Sequence, residues 1–142
     1  MEIRKADMDE TKAHIQHFFD QYDEYTLGHP LEVEKHSDQL VLQAVENENV
    51  LGGLIAKKTF DSIHLAELAV DFDYRKDGIG SQLMEEMEKW ANEQNVHVIT
   101  ISTESYQAQA FYEKFGYREF GRLKDMPFQG VDKIYMVKYL SE

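Results

Sequence analysis

The sequence predicts one α/β domain built on a mixed, mostly antiparallel sheet. Apolar strand-like runs at residues 40–45, 50–57 and 63–70 follow one another with only short turns between them. Connections that short join antiparallel neighbours. A stretch of helical spacing then separates the third run from a fourth at 96–102, and a strand, helix, strand passage implies a right-handed parallel crossover. Two alternating runs at 117–123 and 131–140 close the chain.

The elements can be taken in order. Residues 3–5 fit a short strand. Asp7 with Glu10 three positions later reads as a helix-start capping pair, with Asp in place of the usual Ser or Thr. Ile15, Phe18, Phe19, Tyr22 and Tyr25 then recur at spacings of three and four, an amphipathic helix whose aromatic stripe is expected in the core. Gly28-His29-Pro30 ends it. His14 and His17 lack an evident third ligand and read as surface histidines. Residues 31–37 are polar and ambiguous. Residues 46–49 make the turn of a hairpin, and Gly52-Gly53 inside its second strand suggests a bulge or a close backbone approach. Asp61-Ser62 is the next turn.

Further on, Leu83, Met84, Met87, Trp90 and Ala91 form one helical stripe, read as core, with Glu85, Glu86, Glu88, Lys89 and Glu93 on the opposite face. The run at 96–102 is nearly continuous in apolar residues, which predicts a strand buried on both faces. Ala108, Phe111, Tyr112 and Phe115 mark a short helix with Gly116 as its C-terminal cap. The loop at 124–130 carries Pro127 and Gly130. No internal repeat or linker interrupts this order.

Composition limits the partners. The 142 residues suit one domain with a core of its own. There is no cysteine, which removes disulfides, a thiol nucleophile and thiolate metal sites. The formal charge is −12, from 27 acids against 15 bases. Such a field repels nucleic acid and anionic membranes, so neither is expected as a partner, and it favours a cationic one. No run approaches the roughly 18 apolar residues of a membrane span, and the N-terminus lacks an apolar signal core. A soluble cytoplasmic protein is expected.

One segment breaks the acidic pattern. Arg75-Lys76-Asp77-Gly78-Ile79-Gly80-Ser81 lies between the strand ending at Val70 and the Met-rich helix. Alternating glycines let a backbone approach a bound group closely, and the free amides of a helix start suit a phosphate or pyrophosphate. A P-loop would need Gly-x-x-x-x-Gly-Lys-Ser/Thr, which is absent. A dinucleotide loop would need a third glycine where Leu83 stands, and no hairpins ahead of it. What remains is Arg-x-x-Gly-x-Gly at a strand-to-helix junction.

Downstream lies Ser105-Tyr106-Gln107-Ala108-Gln109-Ala110-Phe111-Tyr112-Glu113-Lys114-Phe115-Gly116-Tyr117. The two segments together resemble the GCN5-related N-acetyltransferase (GNAT) superfamily. Its acetyl-CoA loop, Arg/Gln-x-x-Gly-x-Gly/Ala, is matched by Arg75, Gly78 and Gly80. Its second signature, Asn-x-x-Ala-x-x-Phe-Tyr-x-Lys-x-Gly-Phe, is matched by Ala108, Phe111, Tyr112, Lys114 and Gly116, with Tyr117 for the last position. The order of elements agrees along essentially the whole chain. The departure is Ser105, which stands where the family has an asparagine that contacts the pantetheine arm; the contact is lost, made through water, or passed to Thr103.

The resemblance implies residues 1–142 as a single N-acetyltransferase domain, with six to seven strands and about four helices. It implies acetyl-CoA as acetyl donor, no metal, and direct attack by an amine of a small molecule or peptide. Arg75, Lys76, Asp77, Gly78, Ile79, Gly80 and Ser81 would bind the pyrophosphate. Leu68, Ala69 and Val70 would pair with pantetheine as an added strand does, and the amide of Leu68 or Ala69 would polarise the thioester carbonyl. Ser105, Ala108, Phe111 and Tyr112 complete the cofactor set. Tyr112 matches the family's general acid for the leaving thiolate. Full proton transfer from a phenol near ~10 to a thiolate near ~8.5 is uphill by about 2 kcal/mol at neutral pH, so hydrogen bonding to the developing charge contributes first. Glu67, in an otherwise apolar strand, is the candidate base, since burial would raise its pKa; Glu104 and His64 are alternatives. Homodimerisation is common in the family. The rival readings are a CoA-binding sensor or interaction module without turnover, and a structural protein.

Overall fold

A computed structural model of the chain describes residues 1–29 and 37–140. Residues 30–36, which include Pro30 of the expected helix stop and most of the ambiguous stretch 31–37, lie outside the described residues. The chain forms two compact units, Met1–Glu34 and Lys35–Glu142.

The first unit holds one helix, α1, Met8–Leu27. Its start is the expected capping pair: Asp7 accepts from the Glu10 amide at 3.0 Å. Gly28 closes it with φ 75°, its amide donating to the Glu24 carbonyl at 2.8 Å. Residues 3–5, expected as a short strand, are not in a strand. The aromatic stripe is not core within this unit. A lone helix has no second layer to bury it, and Phe18 and Tyr25 are 50% and 91% exposed.

The second unit is a six-stranded sheet in the order β1-β2-β3-β4-β6-β5. The strands are β1 Ser37–Glu46, β2 Asn49–Thr59, β3 Ser62–Val70, β4 Val98–Glu104, β5 Arg118–Leu123 and β6 Lys133–Tyr139. Only β3 and β4 pair in parallel, joined through α2, Ile79–Glu93, while α3, Gln109–Lys114, follows β4. Among the described residues there are thus three α-helices and a three-residue 3₁₀ turn, Phe72–Tyr74, where about four helices were expected.

One face of the sheet carries the core. Leu83, Met84, Met87 and Ala91 of α2 are buried against Leu54, Ala56, Ile63, Leu65, Ile99, Ile101, Ile134 and Met136 of the strands. β4 is fully buried on that face only: Ile99, Ile101 and Thr103 are buried while Thr100, Ser102 and Glu104 are half-buried. Glu88, expected on the solvated face of α2, turns inward instead. Its carboxylate accepts from Lys138 Nζ at 2.7 Å and from the Tyr117 hydroxyl at 3.3 Å. Gly116 lies one residue beyond the C-cap, Phe115, and takes the left-handed turn with φ 91°.

Three bulges bend the sheet, and the one in the β5–β6 ladder leaves Phe120 unpaired. In the β1–β2 ladder the register passes from Ala44↔Gly52 to Val45↔Val50, so the extra residue is Leu51 rather than either glycine of the pair. Gly52 is instead the close approach: a Cβ there would stand 3.1 Å from the Ala69 carbonyl oxygen and 3.2 Å from Ile79. In the β2–β3 ladder the register passes from Ala56↔Leu65 to Ile55↔Glu67, which leaves Ala66 unpaired. A bulge of this kind bends its strand and increases the twist.

Candidate active site

The bulge at Ala66 opens the site. β3 and β4 pair from Ser62↔Val98 to Leu65↔Ile101 and then stop, although β3 continues to Val70 and β4 to Glu104. The two strands therefore end in a wedge.

The register tells which backbone groups line it. The Asp71 amide donates to the Leu51 carbonyl at 2.7 Å, a hydrogen-bonded pair of the β2–β3 ladder. With Gly53↔Ala69 and Ile55↔Glu67 next in register, alternation directs the amides of Glu67 and Ala69 towards β2. Those of Leu68 and Val70 point the other way, into the wedge. On β4, the Ser105 amide donates to the Asp132 carbonyl at 2.8 Å, so the same alternation turns Ser102 and Glu104 towards β3. The Glu104 amide is met by Gln107 Oε1 at 3.2 Å and its carbonyl by the Gln107 amide at 2.9 Å. Leu68 and Val70, with the carbonyl of Ser102, are left facing the wedge without a strand partner. Such an edge is a template for an extended chain with amides of its own.

A cleft of about 630 Å³ opens here, lined by Glu67, Leu68 and Ala69 of β3, Ser102 and Glu104 of β4, Gln107, Tyr112 of α3 and Lys133 of β6. Tyr112 is only 9% exposed. It packs edge-on against Phe111 and Tyr117, with centroids 5.2 and 6.3 Å away. Its hydroxyl has no hydrogen-bond partner among the described residues, yet no buried side-chain polar atom is left unsatisfied. The oxygen therefore reaches the cleft. Burial pushes this phenol above its ordinary 10.0, so it holds its proton at neutral pH.

Glu67 lines the cleft but is exposed, so the burial expected of it is absent. His64 does not line it: its Nδ1 lies 2.9 Å from the Thr100 hydroxyl, and burial, with Lys133 and Lys57 nearby, lowers its pKa below 6.5. Thr103 is buried and donates to Gln107 Oε1 at 3.1 Å, which leaves it no path to a ligand in place of Ser105. The Ser105 hydroxyl itself accepts from the Asp132 amide at 3.0 Å.

The glycine loop lies beyond the end of β3. Gly78 is the N-cap of α2 with φ 75° and supplies no side-chain cap, and the first turn holds no acid, so the leading amides are open to an anion. Arg75 stacks its guanidinium 3.6 Å above the Phe72 ring, while Lys76 and Asp77 are exposed in the turn. Ala108 begins α3. Phe111 reaches back to the loop: a Cβ on Gly80 would be 3.3 Å from its ring. The two sequence motifs therefore meet at Gly80 and Phe111.

The Acetyltransferase (GNAT) domain family matches residues 6–140. The chain is a GNAT acetyltransferase. It is an acetyl-CoA-dependent N-acetyltransferase by class. Blasticidin-S acetyltransferase of Streptomyces morookaense is 31% identical to it over 96 residues, 67% of this chain and 70% of that protein. An acetyltransferase from Bacillus cereus superposes with TM-score 0.81 at 29% identity, over 99% of this chain and 98% of that one. An aminoglycoside 6′-N-acetyltransferase solved with coenzyme A shares the fold, with TM-score 0.65 at 21% identity over 73% and 74% of the two chains.

Several lining residues of this GNAT chain carry no sequence signal. Ser102, Gln107 and Lys133 enter the cleft only through the β4–β6 register and the turn after β4. The choice between Leu68 and Ala69 likewise needed the ladder's alternation.

Proposed function

We propose that the chain moves the acetyl group of acetyl-CoA to a primary amine in the wedge between β3 and β4, with residues 1–142 acting as one catalytic domain. The observation that carries this reading is the unpaired Leu68 amide, directed into a cleft that Tyr112 also lines.

The residues fit the donor. The open amides of Ile79, Gly80 and Ser81, with Arg75 and Lys76, suit a pyrophosphate in a chain of otherwise negative charge. The edges of Leu68 and Val70, with the Ser102 carbonyl, suit the amides of a pantetheine arm. When bound, acetyl-CoA supplies an activated acyl group. The Leu68 amide then polarises the thioester carbonyl, a role that Ala69 cannot share because its amide serves β2. Tyr112 donates a hydrogen bond, and finally its proton, to the sulfur that leaves. Glu67 stands beside Leu68 and draws a proton from the acceptor's ammonium, directly or through water, which frees the amine lone pair to attack the carbonyl. The likeness to a blasticidin-S acetyltransferase supports an amine-bearing small molecule as acceptor.

Thiol release tests the proposal. Acetyl-CoA incubated with a panel of aminoglycosides, polyamines, amino acids and peptides should liberate CoA only when an acceptor is present. Stabilisation by acetyl-CoA without release from any of them would make the chain a binding module.

A further inference from the structure

The cleft holds more charge than acetyl transfer needs. Glu67, Glu104 and Lys133 all line it, and none forms an ion pair with a described residue. Glu104 and Lys133 are register partners across β4 and β6, so their side chains share one face of the sheet. Both are half-buried. Opposite charges so placed ordinarily close on each other. Half-buried and unpaired, each is left to meet a ligand of opposite charge. Tyr112, nine-tenths buried with its hydroxyl open to the same cleft, marks the space as one built for an occupant.

The charges are not mixed at random. Glu67 adjoins the Leu68 amide, where the attacking nitrogen must arrive. Lys133 lies across the wedge on β6, close enough to His64 to lower that group's affinity for a proton. Glu67 therefore stands at the reacting end of the cleft and Lys133 away from it, with Glu104 beside Lys133.

We infer that the acceptor carries a carboxylate as well as its amine, an amino acid or a molecule presenting the same pair, with Glu67 facing the ammonium and Lys133 holding the carboxylate. This rests on the wedge being the acceptor site. A charge-assisted hydrogen bond is worth roughly tenfold or more in affinity.

The test uses amine pairs that differ only in the carboxylate: ornithine against putrescine, and lysine against cadaverine. Isothermal titration into protein saturated with CoA should show the amino acid binding at least ~10-fold tighter than its diamine. Lys133→Met should reduce that ratio to about twofold or less, and Lys133→Arg should retain it, which separates charge from folding. A diamine that binds as well as its amino acid would overturn the inference, as would a ratio that survives Lys133→Met or no binding by either member. Thiol release on the same pairs keeps the two claims apart. A binding preference without release would sink acetyl transfer and leave the inference standing; release without a preference would do the reverse.

Discussion

A Cβ built on Gly80 would stand 3.3 Å from the ring of Phe111, so the first turn of α2 and the start of α3 are packed as closely as a missing side chain permits. The contact joins the anion-binding loop to the helix that carries Tyr112. Gly80→Val should cost about 1–3 kcal/mol in urea unfolding, the usual penalty for overpacking. Gly80→Ala gains up to about 1 kcal/mol of helix propensity and should change stability little. Both should raise the KM for acetyl-CoA, because the ring that must yield also sets the position of α3. An unchanged KM in Gly80→Val would show that the two segments are not coupled.

Gly78 acts through its backbone alone. Its φ of 75° costs other L-residues about 1–2 kcal/mol, and nothing within 4 Å would obstruct a side chain. Gly78→Ala should therefore lose about 1 kcal/mol, and Gly78→Asn less, since Asn tolerates this conformation. Acetyl-CoA affinity should fall in the same order. Chemical denaturation alongside titration with acetyl-CoA checks both.

The order of strands, the Met-rich stripe of α2 and the two glycine-bearing motifs were legible in the sequence because each is local: a period, a turn or a capping residue. The site was legible only in part. Tyr112 and Gly78 stand out within their motifs. The bulge at Ala66 does not, since it exists only as a mismatch between β2 and β3, and the wedge follows from it. Glu88 shows the same limit. Helical spacing placed it with the solvated glutamates, but its direction is decided by Lys138, fifty residues away. The stripe of α1 met the converse failure, because periodicity says which face is apolar and not what covers it.

The Glu88–Lys138 pair is mostly buried, the side chains being 17% and 25% exposed. Removing one partner leaves the other charged beneath the α2 face, so Glu88→Ala and Lys138→Ala should each destabilise by about 1–3 kcal/mol. The double variant should lose less than their sum, with a coupling of about 1 kcal/mol or more. Additive losses would mean that the pair contributes only packing.

Two pH dependences follow from burial. Tyr112 is raised above 10.0 by burial, and Tyr117 by burial and then by Glu88. Below pH 10 folded and unfolded chains both keep these protons, so their contribution is complete. Above it the unfolded chain loses them first, and stability should fall as pH rises past about 10. Tyr117→Phe should flatten that fall. His64 runs the other way: its folded pKa lies below 6.5, through burial and then Lys133 and Lys57, so its contribution is complete above pH 6.5 and declines below it. His64→Gln should remove that part of the decline in denaturation midpoints.

The central claim is that Tyr112 serves the leaving thiolate in the wedge. The most direct measurement is the rate of CoA release by Tyr112→Phe with an acceptor the native chain uses, together with its Kd for acetyl-CoA. Loss of a positioned general acid should lower kcat by about 10²-fold or more, with Kd and thermal midpoint nearly unchanged. A Tyr112→Phe protein that releases CoA at the native rate would contradict the account.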